Sequence, residues 1–502
     1  MGKSKKLFLN TITPLIVQVL SVISGLLLPA LRLEAYGSED CGLITSVAQF
    51  LGIISFLELG VGAVVKSSLY KPLAENDAEE ISRIMKSAQR FFSCLGFILL
   101  AYVVVLCAIY PSIVQSNHAQ GYIIVLIISS SISFFSQYFF GIVNRLLLNA
   151  DQKIYVQYIL QAIQVILNFA AWILLIKSGA SIQIAVFVSG VIFLISPVYM
   201  YIYVRNNYKI DYNIEIIGEP IKQKWNGIAQ HVAAIVRDST DVVVLSVFAS
   251  LKDVAIYSVY QMVVANINSL FFSAMNGVQS LLGEYWAKNE KERMKSFFSK
   301  VEWITHSLVV LVFGCTSSLL VPFILVYTRN ITDANYDQKI FGTVLVFAFS
   351  LYALRFPYNI MILAAGHYQQ TQNIFITAAL VNVTLSILAV KHWGIVGVAI
   401  GTAISMIYET LAMVVYLSKN ILCRPIIYFA KQLGIDCIEI VIGIFCTNKL
   451  VLAELNYNQW FVLAVKTFTV WSVVCLVTNI FFKKNEMKCL IENIKSRKWA
   501  KC

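Results

Sequence analysis

The sequence predicts an all-α polytopic membrane protein of about fourteen transmembrane helices, two pseudo-symmetric six-helix lobes followed by two C-terminal helices. Three observations carry that prediction. The 502 residues are 58% hydrophobic and only 13% charged, with a mean hydropathy of +0.74, whereas a soluble domain is about 25% charged. Nearly the whole chain divides into apolar runs long enough to cross a bilayer, about 20 residues each. Lys and Arg gather in alternate loops between those runs.

The elements follow in order. Lys3, Lys5 and Lys6 precede an apolar run that contains Pro14 and Pro29 and has no small-residue cleavage site, so 8–33 is an uncleaved first span. A short polar turn, 34–42, leads to a second span over 43–65. The charged segment 66–90 places Ile81, Ile84, Met85 and Ala88 on one stripe, the pattern of an amphipathic helix lying at the interface. Spans at 91–109, 121–143, 154–176 and 182–204 complete an N-terminal lobe, 1–204. The polar segment 205–226, with Pro220, is a cytoplasmic linker. A C-terminal lobe, 227–418, holds spans near 226–249, 255–282, 301–326, 343–365, 373–390 and 395–417. Residues 419–502 add spans at 433–453 and 459–482 and a basic tail.

With the N-terminus in the cytoplasm, the inner loops and tails hold about 29 Lys and Arg, the outer side about six, and the spans four. Both termini are therefore expected inside. The same asymmetry accounts for the net charge of +12. No basic cluster interleaved with exposed aromatics occurs in a soluble segment, so nucleic acid is not an expected partner. No room is left for a large soluble catalytic domain. The ten cysteines include no C-x-x-C. Cys94, Cys107, Cys315, Cys437, Cys446 and Cys475 lie in apolar runs, where a free Cys acts as a small hydrophobe. Only Cys41 falls in an outer loop, so no disulfide framework is implied. The five His are scattered, His118 outside and His367 inside, and no metal site is expected.

An internal repeat is visible. The turn Asn149-Ala150-Asp151-Gln152-Lys153 has a counterpart in Ala364-Ala365-Gly366-His367-Tyr368, about 215 residues later, as expected of two halves sharing one topology. Asn168 and Asn382 follow at similar intervals. The acidic outer turn after the first span is matched by Leu251-Lys252-Asp253-Val254 after the seventh.

The span at 226–249 carries Arg237-Asp238-Ser239-Thr240-Asp241 near its centre. Each such charge costs roughly 2.5–3.5 kcal/mol at mid-bilayer on insertion scales. These residues persist only by pairing, or by facing protein or water, so this helix is expected to turn a polar face to a cavity.

The order of features resembles the Wzx-like O-antigen and polysaccharide flippases of the multidrug/oligosaccharidyl-lipid/polysaccharide (MOP) exporter superfamily. The resemblance rests on Ala35-Tyr36-Gly37-Ser38-Glu39-Asp40-Cys41-Gly42, on Leu57-Glu58-Leu59-Gly60-Val61-Gly62, and on the Arg237–Asp241 motif with Ala255-Ile256-Tyr257. The chain departs from the family at Tyr36 and Cys41, and where Glu58 stands for the usual Asp. The resemblance implies a two-lobed bundle in the bacterial inner membrane, flipping an undecaprenyl-pyrophosphate-linked oligosaccharide by alternating access. It implies no catalysis and no cofactor beyond a coupling ion, H+ or Na+. The implied partners are the lipid-linked oligosaccharide, the bilayer and other polysaccharide assembly proteins.

A pyrophosphate in a wet cavity calls for cations, and the planar fork of Arg binds phosphate oxygens bidentately. Arg237, Arg355, Arg145 and Lys66 are the candidate substrate-binding residues. Arg237 can line the cavity, pair with Asp241 one turn away, or both. Arg355 lies mid-helix with no acid within a turn, beside Pro357, which frees the carbonyl of Ala353. Its alternative is a carboxylate on a neighbouring helix. Arg145 and Lys66 sit at inner helix ends, where snorkelling is the competing explanation. Asp238, Asp241, Glu58 and Glu409 are the candidate coupling acids, with Glu439 a further acid within a span. Two rivals remain open: a cation-coupled multidrug exporter of the same fold, and a membrane polymerase or ligase of the polysaccharide pathway, which would need a larger outer loop than 327–341.

Overall fold

A computed structural model describes residues 3–54, 61–215, 228–484 and 486–487, and among these residues every regular element is helical. The chain divides into two compact units, Met1–Ala255 and Ile256–Cys502.

The first unit opens with α1, Lys3–Ile53, two arms joined at Gly37, whose φ of 79° and ψ of 175° interrupt the helix in the expected outer turn. Glycine reaches this conformation without a Cβ clash. Then come α2 (Val61–Glu75), α3 (Ala78–Ile113), α4 (Gln120–Ser136) and a π-helical stretch, Gln137–Gly141. The unit continues with α5 (Ile142–Ala150), α6 (Tyr155–Lys177), α7 (Ile182–Asn207) and α8 (Ile228–Phe248). The division falls in the first turns of α9, Leu251–Ala287. The second unit holds the rest of α9, then α10 (Lys291–Tyr327), α11 (Lys339–Ala364), α12 (Tyr368–Asn420), α13 (Ile427–Thr447) and α14 (Tyr457–Phe482). Like α1, α12 is two arms, broken at Gly394 with φ of 52° and ψ of −131°.

Ten of the described helices are long and apolar enough to cross a membrane, and α1 and α12 each count once among them despite their breaks. Neither α8 nor α13 qualifies. Each carries three residues of the Asp, Glu, Lys and Arg set, Arg237, Asp238 and Asp241 in one and Lys431, Asp436 and Glu439 in the other. The faces turned outward are apolar, with Phe97, Val104, Leu174, Phe445 and Phe481 more than half exposed. Apolar surface of that extent calls for cover, which a bilayer supplies.

The stripe Ile81, Ile84, Met85 and Ala88 differs from the interfacial reading. All four are buried in the core of the first unit, with Leu43, Leu51 and Phe92. Asp77 caps α3 by accepting from the backbone N–H of Glu79 and Glu80 at 3.1 and 3.0 Å, so this segment begins a 36-residue helix instead of a separate surface one. The chain after α7 also packs onto this unit. Lys86 donates to the carbonyl of Ile214 at 2.6 Å, and Tyr208 donates to Asp151 at 2.5 Å. Burial, and then the Asp151 carboxylate, push the Tyr208 hydroxyl up, which keeps it a donor.

The repeat is present in the backbone of each unit. Residues with positive φ recur at a constant interval to within a residue or so: Asn76 and Asn289, Gln152 and Gly366, Gly179 and Gly394. Side chains repeat as well. In the first unit Ser189 of α7 donates to Asn168 of α6 at 2.7 Å. In the second, Asn382 and Thr402, on the two arms of α12, are joined at 3.0 Å.

Candidate functional site

In the second unit α11 and α12 pack along their length, and each buries one charge. Arg355 is 2% exposed and Glu409 is 0% exposed. The two form an ion pair through Nη1 and Oε1. The guanidinium also lies 4.3 Å from the ring centre of Tyr352, one turn earlier on α11, a cation–π arrangement. Its Nε makes no hydrogen bond among the described residues. The sequence thus named both members, one as a substrate cation and one as a coupling acid. The structure brings them together, the neighbouring-helix alternative for Arg355.

The other candidates with described side chains belong to the first unit. Asp241 is buried on α8 in the first unit, beside buried Ser239 and Thr240. Arg145, on α5, and Lys66, on α2, are half-buried in that unit. The backbone of Arg237 and Asp238 belongs to α8, but their side chains lie outside the described residues, as does Glu58 entirely.

Sequence reasoning passed over a second polar group, close along α11. Tyr358, fully buried and three residues beyond Arg355, donates to Oε1 of Glu302 on α10 at 2.5 Å. Arg424, in the turn between α12 and α13, bonds the same carboxylate oxygen and reaches Ser299 at 3.3 Å. Its guanidinium also lies 5.2 Å from the ring centre of Phe298. The signal was the i, i+4 pair Glu302 and His306 inside an otherwise apolar run; Arg424 gave no local hint.

Around these residues α13 and α14 close against α10. Trp471 of α14 is fully buried with Val310, Cys315 and Cys475. Gly314 of α10 and Gly443 of α13 make room for it, since a Cβ at either would stand 2.5 or 2.4 Å from the indole. Among the described residues no three His, Cys, Asp or Glu side chains are grouped to hold a metal ion.

A bundle of long apolar helices, two of them broken at glycines, with buried ion pairs between helices, defines a multi-pass membrane protein fold. Solved structures share it. The lipid II flippase MurJ, in an inward closed conformation, matches 96% of this chain and 100% of its own with a TM-score of 0.72 at 15% identity. An inward-facing multidrug resistance MATE family transporter of the MOP superfamily matches 80% of this chain and 95% of its own, with a TM-score of 0.56 at 14% identity. A MATE in complex with MaL6 matches 81% and 96%, with a TM-score of 0.50 at 13% identity. No family model and no curated protein matches the sequence. The expected superfamily fold is therefore the one observed, at a sequence distance where only the fold is shared.

Proposed function

We propose that this protein is a flippase carrying an undecaprenyl-pyrophosphate-linked oligosaccharide, an O-antigen or capsule repeat unit, across the bacterial inner membrane by alternating access. One observation carries the reading. The likeness to a lipid-linked-substrate flippase extends over 96% of the chain at a TM-score of 0.72, against 80% and 0.56 for the multidrug transporter. The fourteen-span topology with both termini in the cytoplasm belongs to this reading, supported by the distribution of Lys and Arg.

Arg355 is the residue we assign to the pyrophosphate. In the structure its charge is held by Glu409, so substrate binding is an exchange of one anion for another, with the stacked, planar fork kept in place by Tyr352. Such an exchange makes substrate loading sensitive to the state of Glu409.

The test is a leaflet-resolved assay of undecaprenyl-linked glycan in a strain lacking the gene. Accumulation on the inner leaflet is expected. Accumulation of single repeats on the outer leaflet would point instead to a polymerase or ligase. Increased drug sensitivity with normal glycan distribution would favour the cation-coupled exporter, the reading to which the MATE likeness lends weight.

A further inference from the structure

The second unit buries more acid than Arg355 can answer. On α13, Asp436 and Glu439 lie three residues apart on one face, 2% and 1% exposed. Asp436 meets Nδ1 of fully buried His306, on α10, at 2.5 Å and accepts from Gln432 at 3.3 Å. Among the described residues the donors to Glu439 are neutral: the Thr478 hydroxyl, the Asn479 amide at 3.1 Å and the Cys475 thiol, all on α14. Asn479 is held in turn by Trp303 at 2.6 Å and Ser307 at 3.2 Å, both on α10.

Two buried atoms of this cluster make no hydrogen bond among the described residues, Nε2 of His306 and Oε2 of Glu439. The ionisable groups around them are Glu302 and His306 from α10, Tyr358 from α11, Arg424 from the turn before α13, Asp436 and Glu439 from α13, and Cys475 from α14. Arg424 answers Glu302, and a protonated His306 would answer Asp436. Among the described residues no cation answers Glu439. An uncompensated buried charge costs several kcal/mol, so a proton must enter the cluster or the bundle must open.

We propose that His306, Asp436 and Glu439 form a proton-binding site that couples proton uptake to transport. The proposal rests on the flippase reading for what is transported, not for the site itself. One proton from water neutralises the Glu439 carboxylate or makes the imidazolium of His306, no bond between heavy atoms changes, and the same proton leaves when the cluster opens. An open imidazole nitrogen suits a proton and not a sodium ion, which takes oxygen ligands. The site is wired to Arg355 through packed side chains. His306 lies one turn from Glu302, Glu302 accepts from Tyr358, and Tyr358 lies one turn from Arg355. Loading the cluster therefore changes the charge balance along the helix that holds the substrate cation.

The experiment uses the purified full-length protein and its infrared spectrum, compared between mildly acidic and mildly alkaline pH in potassium chloride. The protonated-carboxyl stretch should grow on acidification. Glu439→Gln should remove most of that growth, His306→Gln should move its midpoint, and Glu454→Gln, an exposed outer-loop control, should change nothing. A titrating band left whole in both Glu439→Gln and His306→Gln overturns the proposal, as does a band driven by sodium at fixed pH. If Glu439→Gln fails to accumulate, His306→Gln decides. Surface polysaccharide in cells separates the two readings. An altered band with normal polysaccharide leaves the proton site and removes the flippase, whereas an intact band with polysaccharide lost does the reverse.

Discussion

Arg355 and Glu409 form an ion pair between α11 and α12 in which both side chains are shut off from solvent. Burying two charges costs more than a surface pair returns, and removing one partner strands the other. The pair is thus poorly chosen for stability alone. The proposed flippase function gives it a second use, exchange of Glu409 for an anionic ligand.

Arg355→Ala should destabilise the protein by about 3–5 kcal/mol, because Glu409 is left buried and alone. Protein level in the membrane and surface polysaccharide should fall together. The double variant Arg355→Met with Glu409→Met should recover thermal stability and membrane level but not polysaccharide display. Polysaccharide restored in the double variant would remove Arg355 from the substrate site. Arg355→Lys should keep the fold and recover only part of the display, since the charge remains but the fork over Tyr352 is gone.

The two repeated side-chain bonds give a quieter effect. Asn168→Leu breaks the bond from Ser189, which also accepts from Trp172 at 2.6 Å; Asn382→Leu breaks the bond to Thr402. Bonds of this kind inside membrane bundles average about 0.6 kcal/mol, with a maximum near 1.7. Each variant should lower the thermal midpoint modestly. The double variant should lower it by the sum, because the two bonds share no partner. A collapse in either single variant would show these asparagines doing more than joining two arms.

How much of this could be read from residues alone depends on distance along the chain. Apolar runs, outer turns and the repeat are local patterns, and Gly37 and Gly394 break α1 and α12 within a residue or two of where the turns were expected. Asn168 and Asn382 showed as matched positions and are matched bonds. Pairing between helices is not local. His306 and Asp436 are 130 residues apart, and nothing in either neighbourhood announces the other. The stripe at Ile81 to Ala88 misled because an apolar face reads alike whether lipid or protein covers it. Only the Asp77 cap and the packing against Phe92 tell which.

Packing around Trp471 makes a sharp comparison on one helix. Gly443→Ala places a methyl 2.4 Å from the indole, and Gly434→Ala, also on α13, meets nothing within 4 Å. The first should cost about 1–3 kcal/mol by overpacking and loosen α13 and α14 from α10. The second should be neutral or stabilising by about 0.5–1 kcal/mol, the usual gain of Ala over Gly inside a helix. Thermal unfolding of the two variants checks both signs. Equal behaviour would mean that Trp471 can swing clear.

Orientation can be read with two native cysteines. Cys41 lies just past the Gly37 break and Cys423, exposed, lies in the turn between α12 and α13. The distribution of Lys and Arg predicts the first outside and the second in the cytoplasm. Single-cysteine variants retaining one or the other should therefore differ toward a membrane-impermeant maleimide applied to intact cells whose outer membrane has been made permeable. Cys41 should be labelled in intact cells, more slowly than a fully exposed thiol because it is half-buried. Cys423 should be labelled only once the inner membrane is opened. The opposite pattern would invert the topology, move Arg424 and the turn between α12 and α13 to the outer face, and reverse the side from which a proton could reach His306.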